Sequence, residues 1–173
     1  MMKKLLIAAV GLTAIAATPV MASTVGTSQT YTFNGHVDAL CSISGAAALD
    51  FGALTDSSGN YVAPTAKTAT DDGANCNQAG TTATIKHTDL YTTNQASTGF
   101  TNIVPLSASL STDQGVTIAD STNASGGTAS TGTGGTIKAF TGLTVTATPG
   151  TPTARLVAGS YTGTVTVTLS PTA

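Results

Sequence analysis

Residues 158–173 read "AGSYTGTVTVTLSPTA", and residues 161–169 within them alternate without interruption. Tyr161, Gly163, Val165, Val167 and Leu169 fall on one side, and Thr162, Thr164, Thr166 and Thr168 on the other. This period of two predicts a β-strand with one dry face. Four residues follow Leu169, so no later segment is expected to pair with the strand's second edge. An apolar edge left open is a template for another chain.

Most of the remaining sequence has the same texture. Charged residues make up 8% and aromatics 5%, yet Val, Ile and Leu recur at alternating positions, unlike disordered sequence, whose hydrophobicity is low. Thr, branched at Cβ, suits a pleated surface, and the helix formers Glu, Lys, Arg and Gln are scarce. Almost no helix is expected. The alternating stretches are "TYTFNGHVDALCSIS" (30–44), "ALDFGAL" (48–54), "TTATIKHTDL" (81–90), "NIVPLSASLS" (102–111), "GVTIAD" (115–120), "GTIKAFTGLTVTAT" (135–148) and "SYTGTVTVTLS" (160–170). Between them lie Gly, Pro, Asn, Asp and Ser clusters typical of turns, the longest being "DSTNASGGTASTGTGGT" (120–136). Six or seven short strands at this spacing predict an all-β, immunoglobulin-like β-sandwich.

At the other end, Lys3 and Lys4 precede the apolar run "LLIAAVGLTAIAA", followed by small residues at Val20 and Ala22. Residues 1–22 are thus read as a signal peptide cleaved between Ala22 and Ser23, the apolar run being too short to span a bilayer comfortably. No second run long enough to cross a membrane follows, so the mature chain is expected to be a single exported domain. Without the two signal lysines, Lys67, Lys86, Lys138 and Arg155 face eight Asp and no Glu. This mildly acidic balance, with no basic cluster, argues against a nucleic-acid partner. Cys41 and Cys76, the two cysteines, are expected to form a structural disulfide in an oxidising compartment, because neither a Cys-x-x-Cys nor a Cys/His quartet is present.

Catalytic, cofactor and metal motifs are not found. "TGTGGTIK" (131–138) lacks the Gly-Lys-Ser/Thr ending of a phosphate loop and reads as a flexible surface loop. "TDDGAN" (70–75) lacks the ligand series and closing Glu of a calcium loop and reads as a turn. His36 and His87 are read as exposed or edge residues, and Gly-x-Ser-x-Gly is absent.

The segment "SQTYTFNGHVDALCSIS" repeats the alternation of the C-terminal stretch, with Gln29, Tyr31, Phe33, Gly35 and Val37 on one side. Gly35 stands out, because a glycine within a strand marks a bulge or the close approach of another backbone.

Taken together, the signal peptide, the apolar-x-apolar-x-Gly-x-Val segment before the first Cys ("YTFNGHVDALC"), the second Cys downstream and the terminal "AGSYTGTVTVTLS" resemble a family. It is that of pilus subunits of the bacterial chaperone/usher pathway, including the spore coat protein U-like and type 1 pilin-like groups. The resemblance implies an incomplete immunoglobulin-like fold lacking its last strand, so that Tyr161, Val165, Val167 and Leu169 border an open acceptor groove. It implies a donor extension over residues 23–37, in which Gln29, Tyr31, Phe33, Gly35 and Val37 face a neighbour's groove, ahead of a pilin-type domain over residues 38–173. It further implies a periplasmic chaperone, an outer-membrane usher and other subunits as partners by β-strand addition, at the surface of a Gram-negative cell, for adhesion or biofilm formation. A strand burying Tyr31, Phe33 and Val37 would gain about 5 to 9 kcal/mol gross. Such a head-to-tail contact does not close on itself and generates a filament.

A second reading is a self-contained secreted sandwich that binds a carbohydrate or a surface, with its own N-terminal segment folded back as the last strand. A third is an ice- or mineral-binding array of Thr residues, although outward Thr is ordinary in sheets.

Overall fold

The computed structural model describes residues 29–45 and 47–172. The signal segment 1–22, its cleavage site at Ala22 and Ser23, and residues 23–28 of the extension lie outside the described residues. Val37–Ala173 form one compact unit.

Thirteen strands and no helix occur among the described residues. In chain order they are β1 Cys41–Ser42, β2 Lys67–Asp71, β3 Asn75–Cys76, β4 Thr81–His87, β5 Leu90–Tyr91, β6 Phe100–Thr101, β7 Ile103–Val104, β8 Leu106–Thr112, β9 Thr117–Asp120, β10 Thr133–Ile137, β11 Leu143–Pro149, β12 Arg155–Leu156 and β13 Val165–Ser170. Two antiparallel sheets carry the fold, one in the order β2-β11-β8-β9 and the other β10-β4-β13; the pairs β1-β3, β5-β7 and β6-β12 are short.

The inner faces of the two sheets meet in one core. Ala83 and Ile85 of β4 and Ile137 of β10 pack with Ala108 and Leu110 of β8, Ile118 of β9 and Leu143 of β11. Each strand supplies these residues at every second position, so their partners face outward: Thr82 and Thr84 from β4, and Ser107, Ser109 and Ser111 from β8. The chain is therefore all-β, with two sheets packed face to face and neither closed into a barrel.

Three expectations are corrected first. "GTIKAFTGLTVTAT" is two strands in different sheets, because Phe140 exchanges both backbone hydrogen bonds with Cys76 at 2.9 Å. Thr141 then donates its hydroxyl to Asp113 at 2.8 Å, and the chain crosses to the opposite layer. "TGTGGTIK" is no flexible loop: residues 133–137 are β10, paired along their length with β4. Its glycines fit a crowded site, since a Cβ at Gly135 would lie 3.2 Å from the Ile118 side chain. His87 is the third correction; it is 1% exposed and sits on β4, the central strand of its sheet.

Two segments expected to be strands are not. Residues 29–40 have no strand assignment, and in residues 48–54 the carboxylate of Asp50 accepts the backbone N–H of Gly52 at 2.8 Å while Gly52 turns with φ 74. Such a local turn breaks a ladder.

Candidate functional site

The site is built around the edge strand that the alternation of residues 161–169 predicts. In β13, Val165 to Ser170 pair with His87 to Thr82 of β4. The pairing continues beyond the strand, since Thr162 and Tyr91 exchange two backbone hydrogen bonds at 3.0 Å. Gly163 lies between, opposite a bulge formed by residues 88–90 of the facing segment. A Cβ there would lie 3.0 Å from the carbonyl oxygen of Thr88 and 3.1 Å from that of Asp89, so only glycine lets the two backbones approach this closely. The alternation is as expected: Tyr161, Gly163, Val165, Val167 and Leu169 are half-buried, and the intervening Thr residues exposed.

The half-burial matters, because the neighbouring inward residues Ala83 and Ile85 of β4 are 0% exposed. On its other side β13 has no strand neighbour among the described residues. What borders it instead is an elongated groove of about 1230 Å³. Residues 161–167 form one wall and residues 47–55, with Ile43, the other. The floor consists of Ala69 on β2 and Leu143, Val145 and Ala147 on β11, and Leu90, Leu106 and Leu156 line it further. Two of the four floor side chains, Ala69 and Ala147, are small and leave the groove room. Leu169 is not part of the lining; it packs with Cys41 against the core.

The second wall has no ladder to hold it and depends on side-chain anchors. The carboxylate of Asp71 accepts hydrogen bonds from the Ser44 backbone at 2.8 Å, the Ser44 hydroxyl at 2.5 Å and the Gly45 backbone at 3.2 Å. The Ser44 hydroxyl first, and then the backbone donors, hold the Asp71 carboxyl below the ordinary carboxylate value of 3.8. Further along, Phe51 and Leu54 pack against a cluster containing Leu90, Leu106 and Ala147. Tyr61 donates its hydroxyl to the carbonyl of Gly150 at 2.7 Å.

The disulfide forms as expected: Cys41 and Cys76 are bonded, with Cα atoms 4.0 Å apart at paired positions of β1 and β3. It closes a separation of 35 residues, worth about 4 kcal/mol of loop-closure entropy. Asn77, next to Cys76, receives the Leu40 N–H at 2.8 Å and donates to the Asp38 carbonyl at 2.9 Å. Residues 38–41 are thereby tied to the domain at the disulfide.

The donor residues inferred from the resemblance lie ahead of that tie. Gln29, Tyr31, Phe33, Gly35 and Val37 form no strand, and Tyr31 is 74%, Phe33 92% and Val37 81% exposed. Of the acceptor residues that the same resemblance implies, Tyr161, Val165 and Val167 share one wall of the groove.

One buried polar cluster has no counterpart in the sequence reading. The Asp120 carboxylate accepts the His87 Nδ1–H at 2.9 Å, the Ser130 hydroxyl at 2.5 Å and the Thr122 hydroxyl at 2.6 Å. Burial opposes its ionisation, but the bonds from Ser130, Thr122 and His87 outweigh this and hold its carboxyl well below the usual carboxylate range. The Ser130 hydroxyl points at Asp120 rather than at His87 Nε2, which is buried without a hydrogen-bond partner. This arrangement does not place a nucleophile on a base. It fastens the segment after β9 to β4, and only the Ser, His and Asp letters, scattered along the chain, stood for it in the sequence.

Neither a family model nor a curated relative matches the chain.

Proposed function

We propose that the protein is a structural subunit of a cell-surface fibre, joined head to tail by insertion of residues 29–37 of one copy into the groove beside β13 of the next. The observation that carries this reading is the edge of β13 that no strand among the described residues pairs with, above an apolar floor. Backbone donors and acceptors along such an edge need partners when the groove is filled, and an extended peptide supplies them while its alternate side chains enter the groove. Length supports the same occupant. Residues 161–167, which line the groove, span about 23 Å, and the seven residues from Tyr31 to Val37 span the same at the usual rise per strand residue. A volume of about 1230 Å³ exceeds the range of roughly 300 to 1000 Å³ found for small-molecule sites, as a site for extended polypeptide should. On the donor side, Tyr31, Phe33 and Val37 are large, apolar and exposed, which is costly for a segment with no destination.

In this reading the incomplete sandwich is immunoglobulin-like, and a periplasmic chaperone fills the groove until an outer-membrane usher exchanges it for the next subunit. The chain is exported behind its signal peptide, and the fibre serves adhesion or biofilm formation. The test is to remove residues 23–37 and follow assembly by gel filtration and electron microscopy. The shortened chain should stay monomeric and bind a synthetic peptide of residues 29–37, and replacing Gly35 by Leu in that peptide should abolish binding. Filaments formed by the shortened chain would refute the proposal.

A further inference from the structure

Eight large hydrophobic residues are exposed among the described residues: Tyr31, Phe33, Val37, Leu40, Ile43, Leu49, Val62 and Phe100. The donor segment contains the first three, and Ile43 and Leu49 line the groove. Leu40, Val62 and Phe100 are left over. Val62 and Phe100 belong to neighbouring segments: Arg155 pairs with Phe100 through its backbone, and its Nη2 donates to the carbonyl of Ser58, in the turn leading to Val62, at 2.9 Å.

That pole lies at one end of the groove. Tyr161 donates its hydroxyl to the carbonyl of Val157 at 2.8 Å, with the carbonyl of Thr101 at 3.4 Å. Leu40 lies at the other end. Its neighbour Cys41 has Sγ 3.6 Å from the Thr81 hydroxyl, and Thr81 adjoins Thr82, the partner of Ser170 at the end of β13.

These positions decide which way a donor can run. Parallel to β13, it would bring the donating domain to the acceptor's disulfide pole, where the acceptor's own donor also leaves, and three domains would crowd one junction. Antiparallel, it would bring that domain to the Tyr161 pole and leave the disulfide pole free for the next step. Only the second arrangement keeps successive joints at opposite ends of a domain. Three residues separate Val37 from Cys41, a reach of about 10 Å, and Asn77 holds two of them against their own domain. The two domains must therefore touch.

We infer that Phe100 and Val62 form a second, domain-to-domain contact of the fibre, receiving the disulfide pole of the adjoining copy around Leu40. The inference rests on the fibre reading and adds to it a surface outside the groove. It makes the joint between subunits stiff, because two apolar patches and a tethered linker fix the angle that a strand alone would leave free.

The test places the photocrosslinker p-benzoylphenylalanine at position 100 in fibres mixed from ordinary and 15N-labelled full-length chains. Cross-links between copies should map to residues 37–45 or 72–78, and should disappear in chains lacking residues 23–37. A Phe100→Ser variant should still form fibres, with persistence length in electron micrographs at least halved. Fibres whose cross-links stay within one chain or map elsewhere, or Phe100→Ser fibres of unchanged stiffness, would overturn this contact and leave the groove reading standing. Failure of the folded full-length chain to form fibres would overturn both.

Discussion

Two segments of this chain, residues 29–37 and residues 161–170, carry the same alternation, and they have opposite fates. The second lies in a sheet with one face half-buried, whereas the first forms no strand and leaves Phe33 92% exposed. Alternation specifies which side of a strand would be dry, but a strand exists only where an edge is there to pair with it. Residues 161–170 have that edge in β4. The difference teaches that the pattern alone does not make a strand: one segment borders a groove, the other has strand character without an edge to pair with, and the proposed interaction would bring the two together.

The largest effect that sharpens this comparison concerns how finished each wall is. Ile85→Ala on β4 removes a fully buried side chain and should cost about 3 kcal/mol in chemical denaturation. Val167→Ala, half-buried on the adjacent strand, should cost about 1 kcal/mol in the chain lacking residues 23–37. With the peptide of residues 29–37 bound, the cost of Val167→Ala should rise towards 2 kcal/mol, since the groove is then closed over it. Equal costs with and without peptide would break the comparison.

Next in size is the acid limb. Because the folded state holds the Asp71 carboxyl below 3.8, its contribution is fully present above that value and fades as pH falls through the lowered one. Asp71→Asn should accordingly be less stable than the parent at pH 7, and the gap between their denaturation midpoints should narrow below about pH 4. A gap that stays constant with pH would mean that the wall over residues 43–45 is held by something else. The smallest effect is expected at Phe33: as an exposed residue of a segment without strand assignment, its replacement by Ala should change the domain's own stability by less than about 0.5 kcal/mol. Peptide binding to the groove should nonetheless weaken at least tenfold, measured by calorimetry.

Where the sequence was legible and where it was not follows from how each element is stabilised. β4, β8, β9 and β13 were visible because apolar residues recur at alternate positions in or beside them. β2 was missed because its inward positions are Lys67, Ala69 and Asp71, with no apolar stripe to count. It is recruited by backbone pairing to β11 and by the outward Thr68–Thr146 and Thr70–Thr144 pairs, 3.3 and 3.5 Å apart. The break between β10 and β11 escaped notice because alternation does not say which sheet a strand joins. His87 was misplaced for a related reason. Its alternation puts it on the inner face, but burying an imidazole requires a partner, and Asp120, which accepts its Nδ1–H, lies 33 residues away.

By itself, the sequence determined the all-β character, the disulfide pair, the dry face of residues 161–169 and the strand-like pattern of residues 29–37, because each follows from local spacing and from the scarcity of helix formers. Tertiary structure alone decided that β13 pairs along one edge only among the described residues, that Ala69 on β2 and Ala147 on β11 lie in the floor beneath it, and that Asp71 and a turn at Gly52 hold the opposite wall as a rim rather than a strand. Those features depend on which distant segments pair and which stay apart, and pairing across tens of residues is settled by packing the whole domain at once.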